Sequence, residues 1–168
     1  MPLGKIVAPA LATADVCDAL GKKVAVLPVD FQDFGGVSDF AGPAVTLQTL
    51  DDNTKVRALL ETEGEGRVLI VDGGASDRAA LVGGNLAALA AGNGWAGLVV
   101  YGRVRDRHEL SVEDVGIKAL GSCPRKSEKL GRGDVNVEIA IGGVTIHPGD
   151  WIIADADGVV VSKELPSL

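Results

Sequence analysis

The amino-acid sequence predicts a single α/β domain in which a parallel crossover is joined to antiparallel strands. Three observations carry this. Two near-continuous apolar runs, Arg67-Val68-Leu69-Ile70-Val71-Asp72 and Gly97-Leu98-Val99-Val100-Tyr101, suit strands buried on both faces. Between them Leu86, Leu89 and Ala90 set up a helix, so strand, helix, strand reads as a right-handed parallel crossover. In the C-terminal third the pattern changes to short alternating runs separated by turn residues, the signature of antiparallel strands. No linker and no internal repeat divides the chain, so residues 1–168 read as one domain and not as an open doubly wound sheet.

In chain order, the first element is a helix from Thr13 to Leu20, with Thr13 placed to cap it, Val16 and Leu20 on one face, and Gly21 ending it. Val24 to Leu27 form a short apolar run closed by Pro28. A looped stretch is expected through Phe34-Gly35-Gly36 and Phe40-Ala41-Gly42-Pro43. Alternation in Ala44-Val45-Thr46-Leu47-Gln48-Thr49 predicts a strand with one solvated face. Asp51, Asp52 or Asn53 is placed to cap a helix whose Val56, Leu59 and Leu60 make one apolar stripe. The crossover helix begins near Gly83-Gly84-Asn85 and ends at Gly92-Asn93-Gly94, and the strand after it closes at Gly102. Val135 to Ile141 alternates and turns at Gly142-Gly143 into Val144-Thr145-Ile146, a hairpin. Trp151 to Ala154 and Val159 to Val161 flank the turn Asp155-Ala156-Asp157-Gly158.

A chain of 168 residues buries roughly 70% of its unfolded surface, so it needs no disulfide or structural metal to hold a core. Hydrophobic residues at 46% exclude a disordered chain. Asp plus Glu outnumber Lys plus Arg, 23 to 16, and the net charge of -7 argues against bulk binding to nucleic acid or anionic lipid. Cys17 and Cys123 are too few for a disulfide scaffold and lack metal-ligand spacing. No apolar run approaches a membrane-spanning length, and no basic segment followed by an apolar core opens the chain. A cytoplasmic protein without a membrane span is expected.

Two loops follow buried strands of the crossover, where ligands collect in such folds. The first runs from Asp72 to Gly84. Amides at Gly83, Gly84, Asn85 and Leu86 would project from the first helical turn and could hold a carboxylate or phosphate. The plain alternative is a glycine-rich turn before an ordinary helix. The second loop is Gly102-Arg103-Val104-Arg105-Asp106-Arg107-His108. Arg105 could clamp a carboxylate in bidentate fashion, and Asp106 could bind a hard divalent cation such as Mg²⁺ or Mn²⁺. One carboxylate makes a weak site that waters and substrate oxygens must complete. The alternative is a pair of surface charges.

Other candidates are weaker. His108 could be an acid or base, or simply solvated. His147, before Pro148-Gly149-Asp150, looks like a turn residue, and Cys17 is expected to be buried and inert. Asp72 either supports a site from the strand end or caps a turn. The basic cluster Arg125, Lys126, Lys129 and Arg132 contains Glu128 and has no interleaved aromatics, so no direct nucleic-acid contact is expected. The P-loop lysine motif, the nucleophile elbow, HExxH and the G-x-G-x-x-G order are all absent.

In order and spacing, a series of segments resembles the RraA-like family. They are Thr13 to Asp18, Phe34-Gly35-Gly36, Phe40 to Pro43, Val71 to Gly74, Ala80 to Gly84, Trp95 to Val100, Gly102 to Asp106, Gly116 to Gly121, Gly142-Gly143-Val144 and Pro148-Gly149-Asp150. The family includes ribonuclease-activity regulator A proteins and class II 4-hydroxy-4-methyl-2-oxoglutarate aldolases. The name demethylmenaquinone methyltransferase, given to some members, finds no binding motif here. The resemblance implies a compact domain with a β-β-α swivelling-type arrangement, assembled as a homotrimer with sites near subunit boundaries. It implies a metal-dependent lyase on small 2-oxo acids, cleaving 4-hydroxy-4-methyl-2-oxoglutarate or decarboxylating oxaloacetate to give pyruvate. By the same resemblance the substrate-carboxylate loop falls on Gly83, Gly84, Asn85 and Leu86, the substrate-binding arginine on Arg105, and the metal ligand on Asp106. Arg105 and Asp106 are the implied catalytic pair, with Mg²⁺ or Mn²⁺ as cofactor.

One departure matters. The aldolase pattern places an acid where this chain has Gly84, and Asn85 beside it cannot act as a carboxylate base. Aldolase members often carry a C-terminal acid reaching a neighbour's site, and Glu164 is the only nearby candidate here. Decarboxylation needs no base to deprotonate a hydroxyl, whereas aldol cleavage does. The alternative function is a non-catalytic regulator that binds and inhibits an RNA-degrading endonuclease.

Overall fold

A computed structural model describes residues 11–168; the opening stretch in which no targeting signal is expected, residues 1–10, lies outside the described residues. Apolar alternation of two opposite kinds builds the centre of the fold. In β3 (Phe40–Gln48), β4 (Val68–Asp72) and β6 (Gly97–Val104), successive side chains enter two different cores, while β7 (Gly116–Ser122) gives Ile117 and Ala119 to one of them. Val45, Leu47, Leu69, Val71, Leu98, Val100, Ile117 and Ala119 face α2 (Thr54–Leu60), α3 (Gly84–Gly92) and α4 (Arg107–Ser111). Ala44, Val68, Ile70 and Val99 face the other way, onto the hairpin β9 (Ile139–Ile141)/β10 (Val144–Ile146) and onto β11 (Trp151–Asp155) and β12 (Gly158–Ser162). The expected solvated face of the strand at Ala44–Thr49 is therefore wrong. Thr46 is fully buried and its hydroxyl donates to Val137 O at 2.6 Å, which is how a polar residue fits a two-faced interior strand.

The strands β3, β4, β6 and β7 are parallel neighbours. Each step between them crosses over through a helix, α2, α3 and α4 in turn. β3 also starts earlier than alternation suggests. Its first residues, Phe40–Pro43, pair antiparallel with β11, and only from Ala44 does it pair parallel with β4. The strand thus joins the two halves of one sheet, ordered β1 (Val24–Val26), β12, β11, β3, β4, β6, β7, β2 (Gln32–Asp33). β8 (Asp134–Val135) adds to β3, and β5 (Ala80–Val82) to β6. This mixed sheet in a single α/β domain with swivelling-type topology is the predicted fold class.

Four elements escaped the sequence pattern, β2, β5, α4 and β7, and the strand expected from Val135 to Ile141 is broken into β8 and β9. β5 sits inside the expected loop between Asp72 and Gly84. Because β5 pairs with Arg103 and Val104, β6 keeps a partner beyond Gly102 and runs on to Val104. β7 is interrupted by Lys118, a residue that argues against a buried strand until its partners are seen. Lys118 Nζ lies 2.9 Å from Asp33 Oδ1 and also donates to Asp155 O. Helix α1 (Thr13–Leu20) has the expected bounds but a different start. Ala12 is at the cap position, and Thr13 donates from both N–H and Oγ1 to the Asp155 carboxylate, at 2.8 and 2.7 Å. Burial pushes the Asp155 carboxyl up, but the Thr13 and Asp157 hydrogen bonds and the Lys118 charge outweigh it and hold it below the usual range.

Candidate active site

Parallel strands end together, so the segments that follow them meet at one edge of the sheet. The segments after β3, β5, β6 and β7 enclose a hollow of about 250 Å³. It is lined by Asn53, Thr54 and Arg57 after β3, Gly83 to Leu86 after β5, Arg105 and Asp106 after β6, and Lys126, Ser127 and Lys129 after β7. All six residues singled out from sequence as the site, Gly83, Gly84, Asn85, Leu86, Arg105 and Asp106, therefore line the same cavity.

Asp106 is where β6 gives way to α4. Its backbone is left-handed, φ 63° and ψ 49°, a conformation Asp tolerates better than most residues. That turn brings Oδ2 to 2.9 Å from the Gly84 N–H, which donates to it across the hollow. Gly83 makes the approach possible. A Cβ at Gly83 would lie 2.8 Å from Asp106 Oδ2. Of the amides expected to receive an anion, the Gly84 N–H is thus already engaged by Asp106. The Asn85 and Leu86 N–H groups, in the first turn of α3, have no acceptor among the described residues. Arg105 is half-buried and its Nη1 donates to Pro124 O at 3.4 Å.

The wall after β7 is laced to its neighbours. Ala80 N–H donates to Arg125 O at 2.8 Å, Glu128 N–H to Asp51 O at 2.8 Å and Asn53 N–H to Glu128 O at 3.2 Å. The fully buried Asp52 holds it most firmly. Its carboxylate accepts from Thr54 N–H at 2.9 Å, Leu130 N–H at 2.6 Å and Arg132 N–H at 3.4 Å. Burial pushes the Asp52 carboxyl up, yet these hydrogen bonds prevail and hold it below the ordinary carboxylate range. Asp52, rather than Asn53 at the cap position, supplies the side-chain acceptor for the start of α2.

Sequence reasoning missed the part of the hollow formed by Asn53, Thr54, Arg57, Lys126, Ser127 and Lys129. In the sequence Lys126 and Lys129 read only as part of a basic cluster, with no strand end to place them at a site. The missing signal was β7 itself, since an unrecognised strand has no recognised strand end. Other candidates sit elsewhere. Asp72 caps its turn by accepting from Gly74 N–H at 3.0 Å, His108 is exposed on α4, and Glu164 is not among the lining residues. Cys17 is half-buried, short of the full burial expected of it. Among the described residues no three His, Cys, Asp or Glu side chains gather as a metal site. Among the described residues, Asp106 is the only carboxylate lining the hollow.

Fold and cavity together define a mixed-sheet α/β domain with a hollow at the ends of its parallel strands, lined among the described residues by Arg57, Arg105, Lys126, Lys129 and Asp106 as its charged groups. The RraA-like family profile, described as Aldolase/RraA, matches residues 13–161, and the chain belongs to that family. A Burkholderia multivorans protein provisionally named 4-hydroxy-4-methyl-2-oxoglutarate aldolase is 56% identical over 156 residues, 90% of this chain and 95% of its own length. Among solved structures, the RNA-processing inhibitor RraA from Thermus thermophilis superposes with a TM-score of 0.90 at 47% identity, covering 94% of this chain and 95% of that one. A Geobacillus kaustophilus protein described as a 2-dimethylmenaquinone methyltransferase gives 0.88 at 42% identity, covering 92% and 96%.

Proposed function

We propose that the chain is a lyase acting on a small 2-oxo acid. The observation that carries this is the meeting of Arg105, the free Asn85 and Leu86 amides and the fixed Asp106 carboxylate in one small hollow. Arg105 and the two amides hold the substrate carboxylate and fix its orientation. Arg105 also stabilises the negative charge that develops on the 2-oxo oxygen as the adjacent carbon–carbon bond breaks. Decarboxylation of oxaloacetate releases CO₂ and leaves the electron pair on the enolate of pyruvate.

A single exposed carboxylate fits a hydrated cation completed by waters and substrate, not a cage made by the protein. Asp106 would be its protein ligand. Bound there, Mg²⁺ or Mn²⁺ supplies Lewis-acid stabilisation of the same developing charge. Aldol cleavage additionally needs a base for the substrate hydroxyl. The hollow offers none at Gly84, so decarboxylation is the stronger activity expected.

The test is pyruvate release from oxaloacetate with Mg²⁺ or Mn²⁺, against a chelator control and an Asp106→Ala variant, with the uncatalysed metal-driven rate subtracted. Release lost on chelation and in the variant supports the lyase. Rates equal to background in every sample overturn it.

A second reading has its own support. The Thermus relative is named as an RNA-processing inhibitor, and Gly84 lacks the acid of the aldolase pattern. The solved-structure comparison favours this reading more directly than the lyase. On it, the chain binds and restrains a ribonuclease. A pull-down from cell extract that brings down a ribonuclease, with slowed RNA cleavage on adding the chain, supports it; neither effect counts against it.

A further inference from the structure

A second cavity, of about 390 Å³, opens beside the hollow and shares Lys126 with it, but none of Gly83 to Leu86, Arg105 or Asp106 lines it. Arg78, Arg125, Lys126 and Arg132 bring four cations to it against two carboxylates, Asp51 and Glu128. On a chain whose acids outnumber its bases 23 to 16, that is a local reversal of sign. Like charges drawn together repel, and the excess of two attracts an anion that offsets it. The two acids are already committed. Asp51 accepts from Ser76 Oγ at 2.6 Å and lies 2.9 Å from Arg78 Nη2. Glu128 meets Arg132 only at 3.8 Å, with the side chains 62% and 65% exposed, a pair that contributes little. Arg125 and Lys126 have neither an ion pair nor a side-chain hydrogen bond among the described residues. The wall that carries these cations is built before any ligand arrives. Ala80 N–H donates to Arg125 O and Glu128 N–H to Asp51 O, both at 2.8 Å, and the Asp52 carboxylate accepts from Arg132 N–H at 3.4 Å. A fixed backbone lowers the entropy lost on binding.

We propose that this second cavity binds a phosphomonoester, a phosphoryl dianion carrying an apolar organic group. The site is separate from the hollow and does not depend on the reaction proposed there. Near neutral pH a phosphoryl group brings close to two negative charges and three acceptor oxygens to one point, which matches the excess of two. Three of the four cations are arginines, whose planar forks take phosphoryl oxygens in pairs. The cavity is larger than a phosphoryl group alone, and Leu50, 54% exposed, gives it an apolar lining for the organic part. No aromatic side chain among the described residues lines it to stack a base, so a nucleotide is not the ester that fits.

The experiment is titration calorimetry of the intact protein at about pH 7.5 and low ionic strength, with EDTA present so that no metal draws a probe to Asp106. The main probe is phenyl phosphate. Beside it stand phenyl sulfate, of the same shape with one charge, succinate, with two separated charges, and inorganic phosphate, with no organic part. Phenyl phosphate should bind roughly tenfold tighter than phenyl sulfate or succinate, the scale set by one or two partly screened charge pairs. It should bind about threefold tighter than inorganic phosphate through its contact with Leu50. Arg125→Gln/Arg132→Gln should lose roughly tenfold in affinity for phenyl phosphate and Arg125→Gln alone about threefold, while Arg105→Ala should lose nothing. Both substituted arginines are exposed and the wall is held through its backbone, so the double variant keeps the fold, and circular dichroism checks it. Phenyl sulfate or succinate bound as tightly as phenyl phosphate overturns the phosphoryl ligand, and inorganic phosphate bound as tightly overturns the ester. Binding lost in Arg105→Ala and kept in the double variant puts the probe in the hollow and overturns the second site. Failure of wild type to bind phenyl phosphate at millimolar concentration overturns the proposal as a whole.

Discussion

Asp106 occupies a backbone region that costs a non-glycine residue on the order of 1 kcal/mol or more, and surrounding contacts hold it there. Its Oδ2 is fixed by one N–H, from Gly84, and by the empty space above Gly83. Gly83 itself has φ −125° and ψ −169°, extended backbone open to any residue, so only the close approach to Asp106 demands glycine. Gly83→Ala should therefore leave the fold unaltered by circular dichroism and displace the Asp106 carboxylate. A shift of about 1 Å in a catalytic group costs about 10²-fold, so on the proposed lyase reading oxaloacetate decarboxylation should fall by that order. Gly84→Asp is the converse change. A Cβ there would meet Glu109 Cβ at 3.1 Å and Asp106 Oδ2 at 3.6 Å. It should add the missing acid beside Asp106 and raise cleavage of 4-hydroxy-4-methyl-2-oxoglutarate relative to decarboxylation, read as pyruvate released from each substrate. Asp52 bears on stability instead. Its carboxyl is held below its ordinary value of 3.8, so it contributes stability above that pH and loses it as pH falls through the lowered value. Asp52→Asn should cost about 1–3 kcal/mol at pH 7 by urea denaturation, and the deficit against wild type should shrink below pH 4.

At the scale of elements, the junction between the parallel and antiparallel halves depends on Phe40. Its ring lies against Gly97 of β6 and Gly116 of β7, where a Cβ would stand 2.2 and 2.0 Å from ring carbons. Gly97→Ala should cost about 1–3 kcal/mol by overpacking, and little in a Phe40→Ala background, a coupling readable by denaturant titration of the four proteins. Nothing in the sequence announces that contact, because it joins residues 57 positions apart whose local patterns read as a loop and a strand start. The parallel strands β4 and β6 were legible because double-sided burial makes an unbroken apolar run. β7 was not, since Lys118 breaks the run and its partners Asp33 and Asp155 are distant in sequence. β5 has only three residues, too few for any period. The site divides in the same way. The loops after recognised strands yielded Gly83 to Leu86, Arg105 and Asp106, whereas the segment after the hidden β7 concealed Lys126, Ser127 and Lys129.

On the whole molecule, the small-acid reading proposed above sets two fields of opposite sign on an anionic substrate. The chain carries a net charge of -7, which repels it at a distance, while four cations and one carboxylate at the hollow attract it nearby. Coulomb energy falls with distance, and in salt of 0.1 M it is screened over about 10 Å. Charges lining a hollow of about 250 Å³ act on bound substrate from within that length, and the scattered surface acids act from beyond it. Raising ionic strength from low to physiological therefore removes the distant repulsion first. Affinity of a dianion still depends on the near, partly exposed lysines, which salt also weakens. The near term is larger because its charges are closer, so KM for oxaloacetate should rise about two- to fivefold between 20 and 200 mM salt. kcat should change little, since Arg105 is half-buried and, on the proposed lyase reading, would act on charge developing inside the hollow. Steady-state kinetics at fixed free Mg²⁺ decides it. A KM that falls with salt would mean that the acidic surface governs approach, and that the cations of the hollow do not bind the substrate's charges.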